Sequence, residues 1–142
     1  MSITPNFTSG TGIRLLNAKN GAINIVHDNE IVNNIFFNVG LPIEMDSEPT
    51  GTKVANNLFF NNSSSSQLMV NGINYSLTSF EALNVLYLNN IETNPLFINS
   101  STNNYNLNAT SPAINAGINV GLTSDFNNNL LNGLPDIGVL EF

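Results

Sequence analysis

The sequence predicts an all-β fold: a right-handed parallel β-helix (a solenoid) of a few coils, with one short helix and an irregular C-terminal cap. Three observations predict it. A phrase occurs twice: Ile31-Val32-Asn33-Asn34-Ile35-Phe36-Phe37-Asn38 returns as Val54-Ala55-Asn56-Asn57-Leu58-Phe59-Phe60-Asn61. The spacing is about 23 residues, inside the window of stacked repeat architectures. Each apolar run in the phrase is too short for a helix and is bounded by Asn, as a buried parallel strand is. Finally, charged residues make up 9% of the chain, against roughly 25% in ordinary soluble domains.

The phrase has a physical reason to form a coil. Asn tolerates a left-handed backbone and turns the chain sharply between strands. Stacked coils place equivalent side chains about 4.8 Å apart. Asn33 over Asn56, or Asn34 over Asn57, would form an amide ladder that removes the cost of burying the amides. Phe36 and Phe37 over Phe59 and Phe60 would stack and fill the core. The alternative is two unrelated strands of a sandwich.

Taken in order, residues 1–10 read as an irregular lead-in, with Pro5 and Gly10 as breakers. Gly12 to Leu16 and Ala22 to Val26 are strand candidates, with a turn from Asn17 to Gly21. His27 to Glu30 is a polar corner before the first phrase. Leu41 to Met45 is another short strand, and Asp46 to Gly51 is a loop. After the second phrase, Ser63 to Ser66 reads as a protruding loop. Gln67 to Val70 and Ile73 to Tyr75 are strand-like, split by Asn71-Gly72. Thr78 with Glu81 has the spacing of a capping box. Phe80, Leu83 and Leu86 or Tyr87 then recur at helical spacing. The predicted helix spans about 79–87 and is stopped by Asn89-Asn90. Residues 1–142 are expected to form one domain, with coils and helix over 1–93 and a wrapping or capping segment over 94–142.

Composition excludes some functions. Asn is about a fifth of the chain, so neutral polar groups do the solvating. Ten acids oppose three bases, for a formal charge of −7. Arg14, Lys19 and Lys53 cannot build the basic stripe a nucleic-acid binder needs, and membrane insertion is not expected, since no apolar run reaches 18 residues. Without cysteine there is no disulfide framework. Met1 to Pro5 lacks the basic and apolar regions of a signal peptide. The lack of cysteine fits an outside location; if the protein is secreted or held at the cell surface, this chain is expected to be a piece of a longer precursor.

The tail carries a resemblance. Its phrases are Asn94-Pro95-Leu96-Phe97, Tyr105-Asn106-Leu107, Ser111-Pro112-Ala113-Ile114-Asn115-Ala116-Gly117, Asp125, and Asp136-Ile137-Gly138-Val139-Leu140-Glu141-Phe142. Together they resemble the C-terminal part of secreted bacterial right-handed β-helix proteins of the pectate-lyase-like superfamily. Tyr75-Ser76-Leu77 with Phe80-Glu81-Ala82-Leu83 is similar to the segment that often precedes that tail. The resemblance covers about residues 31–142. Here Asn94 and Asn115 stand where aspartates are usual, Leu131 where Arg is common, and Val139-Leu140 where Ala-Tyr is. It implies the fold and a C-terminal position, and hardly any reaction. A solenoid end needs a cap over its stacked core and strand edges. The N-terminal end shows no comparable cap.

Candidate chemistry is sparse. Lyases on this fold need a base, and Arg14, Lys19, Lys53 and His27 are what the chain offers. Glycosidases need two carboxylates at a set separation; Asp28 with Glu30, or Glu44 with Asp46 and Glu48, are the acidic pairs, and all lie at corners or loops. His27 and Asp28 are the weak catalytic candidates, an imidazole beside an acid without a nucleophile elbow. Asp125, Asn127, Asn129 and Asp136 occupy places one, three, five and twelve of a calcium loop and all offer oxygen. Leu130 stands at the sixth place, where a loop of that kind wants Gly. Tyr75, Tyr87 and Tyr105 are the candidate sugar platforms. The expected function is a non-catalytic structural or binding module of an extracellular or cell-surface bacterial protein. Its partners would be a polysaccharide, or another copy met through the uncapped N-terminal end. The alternatives are a C-terminal remnant of a polysaccharide lyase or glycoside hydrolase, and a unit stacking end to end.

Overall fold

Asparagine sets the corners of this chain. Among the described residues, every non-glycine with positive φ is an Asn except Asp28 and Leu96. In the computed structural model the described residues are 10–16, 26–46, 50–63 and 66–142. The expected lead-in, the turn from Asn17 to Gly21, nearly all of the strand expected at Ala22 to Val26, Glu48 and the middle of the serine run lie outside them.

The regular elements of the described chain are mostly strands, with one short α-helix, as expected for an all-β protein. The strands are β1 (Thr11–Leu15), β2 (Glu30–Val32), β3 (Ile35–Phe37), β4 (Leu41–Met45), β5 (Lys53–Ala55), β6 (Leu58–Phe60), β7 (Leu68–Val70), β8 (Ile73–Tyr75), β9 (Tyr87–Leu88), β10 (Ile91–Glu92), β11 (Phe97–Asn99) and β12 (Asn104–Leu107). Three sets pair in parallel: β2-β5-β9, β3-β6-β10 and β1-β4-β7. The twin phrases are thus parallel neighbours in register, with Ile31 opposite Val54 and Phe36 opposite Phe59. β8 closes the third sheet antiparallel to β7. Its two-residue turn is Asn71-Gly72, at φ 50° and 76°, the left-handed pair that suits a right-twisted hairpin.

The phrase occurs a third time. Tyr87-Leu88-Asn89-Asn90-Ile91 places Tyr87 opposite Val54 and Ile91 opposite Leu58. Asn89-Asn90 was expected to stop a helix; it is instead the corner of another rung, with Asn89 left-handed at φ 55° beside Asn33 and Asn56 at 58° and 51°. The β7–β8 hairpin and a helix lengthen the interval here. That helix, α1, spans Leu77–Glu81 rather than about 79–87. Ser76, not Thr78, is its N-cap, accepting from the Ser79 amide at 3.4 Å. Glu81, the expected partner of Thr78, is engaged elsewhere.

Apolar rows run up the stack. Ile31, Val54 and Tyr87 form one; Ile43 with Leu68, and Met45 with Val70, form others; all are buried. Phe36 lies on Phe59 at 5.0 Å and 5°, and Phe37 on Phe60 at 6.2 Å, so both expected aromatic stacks form. Phe80 of α1 covers the last row, 4.6 Å from Tyr87. A second core lies outside β3, β6 and β10, where Leu58 meets Leu107, Ala113 and Ile137 of the C-terminal segment. Gly117 is required there by close approach: a Cβ would fall 2.7 Å from the Asp136 carbonyl oxygen and 2.8 Å from that of Pro135.

Candidate functional site

The amide ladder joins Asn34, Asn57 and Asn90. Asn34 Nδ2 donates to Asn57 Oδ1 at 3.0 Å, and Asn57 Nδ2 donates to Asn90 Oδ1 at 2.9 Å. The carboxamide oxygens of Asn57 and Asn90 also accept the backbone N–H of the rung before them, from Asn34 and Asn57. Glu81 ends the ladder: its Oε1 accepts the Asn90 amide N–H at 2.8 Å and Asn90 Nδ2 at 3.2 Å. A carboxylate has acceptors alone, so the polar row terminates there. Asn33 and Asn56 do not stack on each other by side chain. Asn33 exchanges two bonds with the Ile118 backbone, and Asn56 Nδ2 donates to Ala116 O. They hold the C-terminal segment against the rungs.

At the other end of the ladder lies a cleft of about 460 Å³, lined by Asn34, Phe36, Phe37, Phe97, Tyr105 and Leu107, among others. Strand β3 presents Phe36 and Phe37. Strands β11 and β12 pair antiparallel, Phe97 opposite Leu107, joined by the 3-10 turn Ser100–Thr102 and left-handed Asn103. Phe97 meets Phe37 edge-on at 5.4 Å and Tyr105 at 5.2 Å. Of the three expected sugar platforms, Tyr87 is buried under α1, Tyr75 is half-buried, and Tyr105 is exposed. Sequence reasoning named Tyr105 but missed Phe37 and Phe97 beside it. The NPLF phrase that carries Phe97 was the available signal. Asn34 Oδ1, at the open end of the ladder, has no donor among the described residues, whereas Asn57 Oδ1 and Asn90 Oδ1 do. Neither Arg14 nor Lys53 lines the cleft.

The other candidates lie apart. His27 Nδ1 is 2.8 Å from Asp28 Oδ2, on an exposed corner. Glu44 and Asp46 both face Arg14, at 2.9 and 4.0 Å, and Thr11 donates to Glu44; Glu48 lies outside the described residues. The four calcium-loop candidates divide between two backbone clasps. Asp136 accepts the Asn115 amide N–H at 2.7 Å and that of Phe142 at 2.8 Å. Asp125 accepts the Asn129 amide N–H at 2.7 Å, Asn129 Nδ2 at 2.9 Å and the Glu141 amide N–H at 3.2 Å. Glu141 in turn accepts the Asp136 amide N–H. The acids of the tail phrases thus tie its loops to its end, and a calcium ion would have to displace these donors.

Desolvation pushes the Asp125 carboxyl up, but the Asn129 side chain and the backbone amides of Glu141, Asn129 and Asn127 hold it below its ordinary 3.8. A carboxylate held low in the fold adds stability that is present above its unfolded value. That stability is lost as pH falls through the lowered folded value. Between about pH 5 and pH 2 the wild type is expected to lose more melting temperature than Asp125→Asn. Equal losses in the two proteins, followed by circular dichroism, would contradict this clasp.

The chain matches no protein-family model and no curated protein sequence. Among the described residues no helix is long and apolar enough to cross a membrane, and no group of three or more His, Asp or Glu side chains gathers to hold a metal.

Proposed function

We propose that the three parallel sheets are the faces of a right-handed parallel β-helix of the pectate-lyase-like type. In this reading the chain is a non-catalytic, carbohydrate-contacting module of an extracellular or cell-surface bacterial protein. The in-register rungs, the rows of like side chains and the Asn34–Asn57–Asn90 ladder support the solenoid. The tail phrases that resemble that superfamily support its membership. The observation that carries the binding role is the aromatic cleft. Phe37, Phe97 and Tyr105 offer ring faces and edges, and Asn34 supplies an open acceptor beside them. Such a site stacks on the C–H face of a sugar and takes one hydroxyl as donor. With no cation in its lining among the described residues and a chain charge of −7, it suits a neutral saccharide and repels a uronate. The assignment of the acids to backbone clasps and an Arg pair supports a role without catalysis.

A glycan array followed by titration calorimetry tests this. The expected result is binding to neutral glycans that weakens about tenfold, or about 1.4 kcal/mol, in Tyr105→Ala. An array blank for neutral glycans, or undiminished binding by Tyr105→Ala, would end the reading.

A further inference from the structure

The aromatic cleft does not end at Phe37 and Phe97. Both rings also line a second cleft, of about 410 Å³, together with Phe60, Asn94, Ser100 and Asn108. Phe60 lies 6.2 Å from Phe37, Phe37 5.4 Å from Phe97, and Phe97 5.2 Å from Tyr105, so four rings follow one another across the two clefts. The second cleft offers donors. Asn94 Oδ1 accepts the Leu96 amide N–H, and Asn108 Oδ1 accepts the amide and hydroxyl of Thr110. The two Nδ2 groups and the Ser100 hydroxyl have no partner among the described residues. Leu96, which lines the same cleft, is the one described residue other than Asn, Asp and Gly with positive φ, at 53°. A branched side chain is strained there, and such strain gathers at ligand clamps. Asn94 and the Asn108 N–H, which donates to Leu96 O at 2.9 Å, hold the turn that sets Phe97 between the clefts.

We infer that the site takes a neutral oligosaccharide of several units laid across both clefts, not a single sugar. The inference rests on the glycan reading and gives it a chain length. Four rings in succession exceed what one pyranose can cover, and each cleft is of ligand size. The polar chemistry changes along the row. The Asn34 end offers an acceptor and the Asn94–Asn108 end offers donors, and a hydroxyl answers both. Neither lining holds a charged side chain among the described residues, which suits a neutral chain. An extended peptide is a poorer occupant of the second cleft. It would need a free strand edge, and Phe60 stands on β6, the central strand of its sheet.

The test prints each neutral glycan on the array as both its disaccharide and its hexasaccharide, the cello, xylo and manno series included. Pairs that bind are then titrated by calorimetry against the whole chain. The hexasaccharide is expected to bind at least about tenfold tighter than its disaccharide. Phe60→Leu keeps most of the apolar volume and loses the ring face. Asn108→Asp keeps the acceptor for Thr110 and loses the donors. In each, the gain with length is expected to shrink to about twofold or less. The gain is a ratio within one protein, so a smaller folded fraction cancels from it. Equal affinities at the two lengths, or a full gain that survives in both variants, would overturn the inference and leave the glycan reading standing. An array blank at both lengths would end both.

Discussion

Replacing Asn57 by Leu is expected to lower stability by about 3–5 kcal/mol, through several buried polar groups left without partners. For a chain of this length that is a fall in melting temperature on the order of 10–15 °C. Asn57 is fully buried. Its Oδ1 accepts both the N–H and the side chain of Asn34, and its Nδ2 reaches Ile31 O, Ala55 O and Asn90 Oδ1. Leu shares its branched shape but answers none of these groups. Asn57→Asp is no rescue, because it turns a donor toward two carbonyls into a third acceptor. Asn34→Leu is the control. Asn34 is half-buried at the ladder's open end and has one rung to serve, so its loss is expected to cost less than half as much. Equal melting temperatures for Asn57→Leu and Asn34→Leu would show that the ladder is ornament.

The same ladder shows what could be read from sequence. Its first two rungs were legible because equal spacing repeats the whole phrase, apolar pair, Asn pair and aromatic pair together. The third was not. The Asn71-Gly72 hairpin and α1 are inserted before it, so the interval changes. Its aromatic places hold Glu92 and Thr93, which no longer look like Phe59 and Phe60. The insertion and the missing copy have one cause: this is the end of the rows, and an end must stop pairing. Glu81 and Glu92 put acceptors there, and Phe80 shuts the apolar row.

The helix shows the limit of periodicity. Phe80, Leu83 and Tyr87 have helical spacing, yet Tyr87 is claimed by β9 because pairing with Val54 buries it in the main core. Tertiary burial outweighs the few tenths of a kcal/mol that local propensity offers. The capping box at Thr78 and Glu81 fails for a similar reason, since Glu81 finds two donors on Asn90. The roles of Asn33 and Asn56 were hidden because their partners, Ile118 and Ala116, lie 60 or more residues away in sequence. The candidate site was legible in one residue, Tyr105. The cleft needs β3 and the β11–β12 hairpin side by side, and no local pattern states that meeting.

Phe59→Ala is expected to cost about 3–5 kcal/mol, at the upper end for a buried aromatic. The reason is that the hole cannot close. Phe59 is fully buried, with Phe36 flat against one face at 5.0 Å. Its strand is bonded on both sides: Leu58 N–H donates to Asn34 O at 2.8 Å, and Thr93 N–H donates to Phe59 O at 3.1 Å. Those bonds hold the paired strands at a spacing of about 4.8 Å, so neighbouring strands cannot settle into the space. In a helical core, tilting would recover part of the loss; a ladder pinned above and below has no such freedom. Phe59→Leu keeps most of the volume and is expected to cost less than about 1.5 kcal/mol. Denaturant unfolding of the two variants separates them: a midpoint for Phe59→Ala close to that of Phe59→Leu would mean the strands do collapse, and that backbone bonding does not fix their spacing.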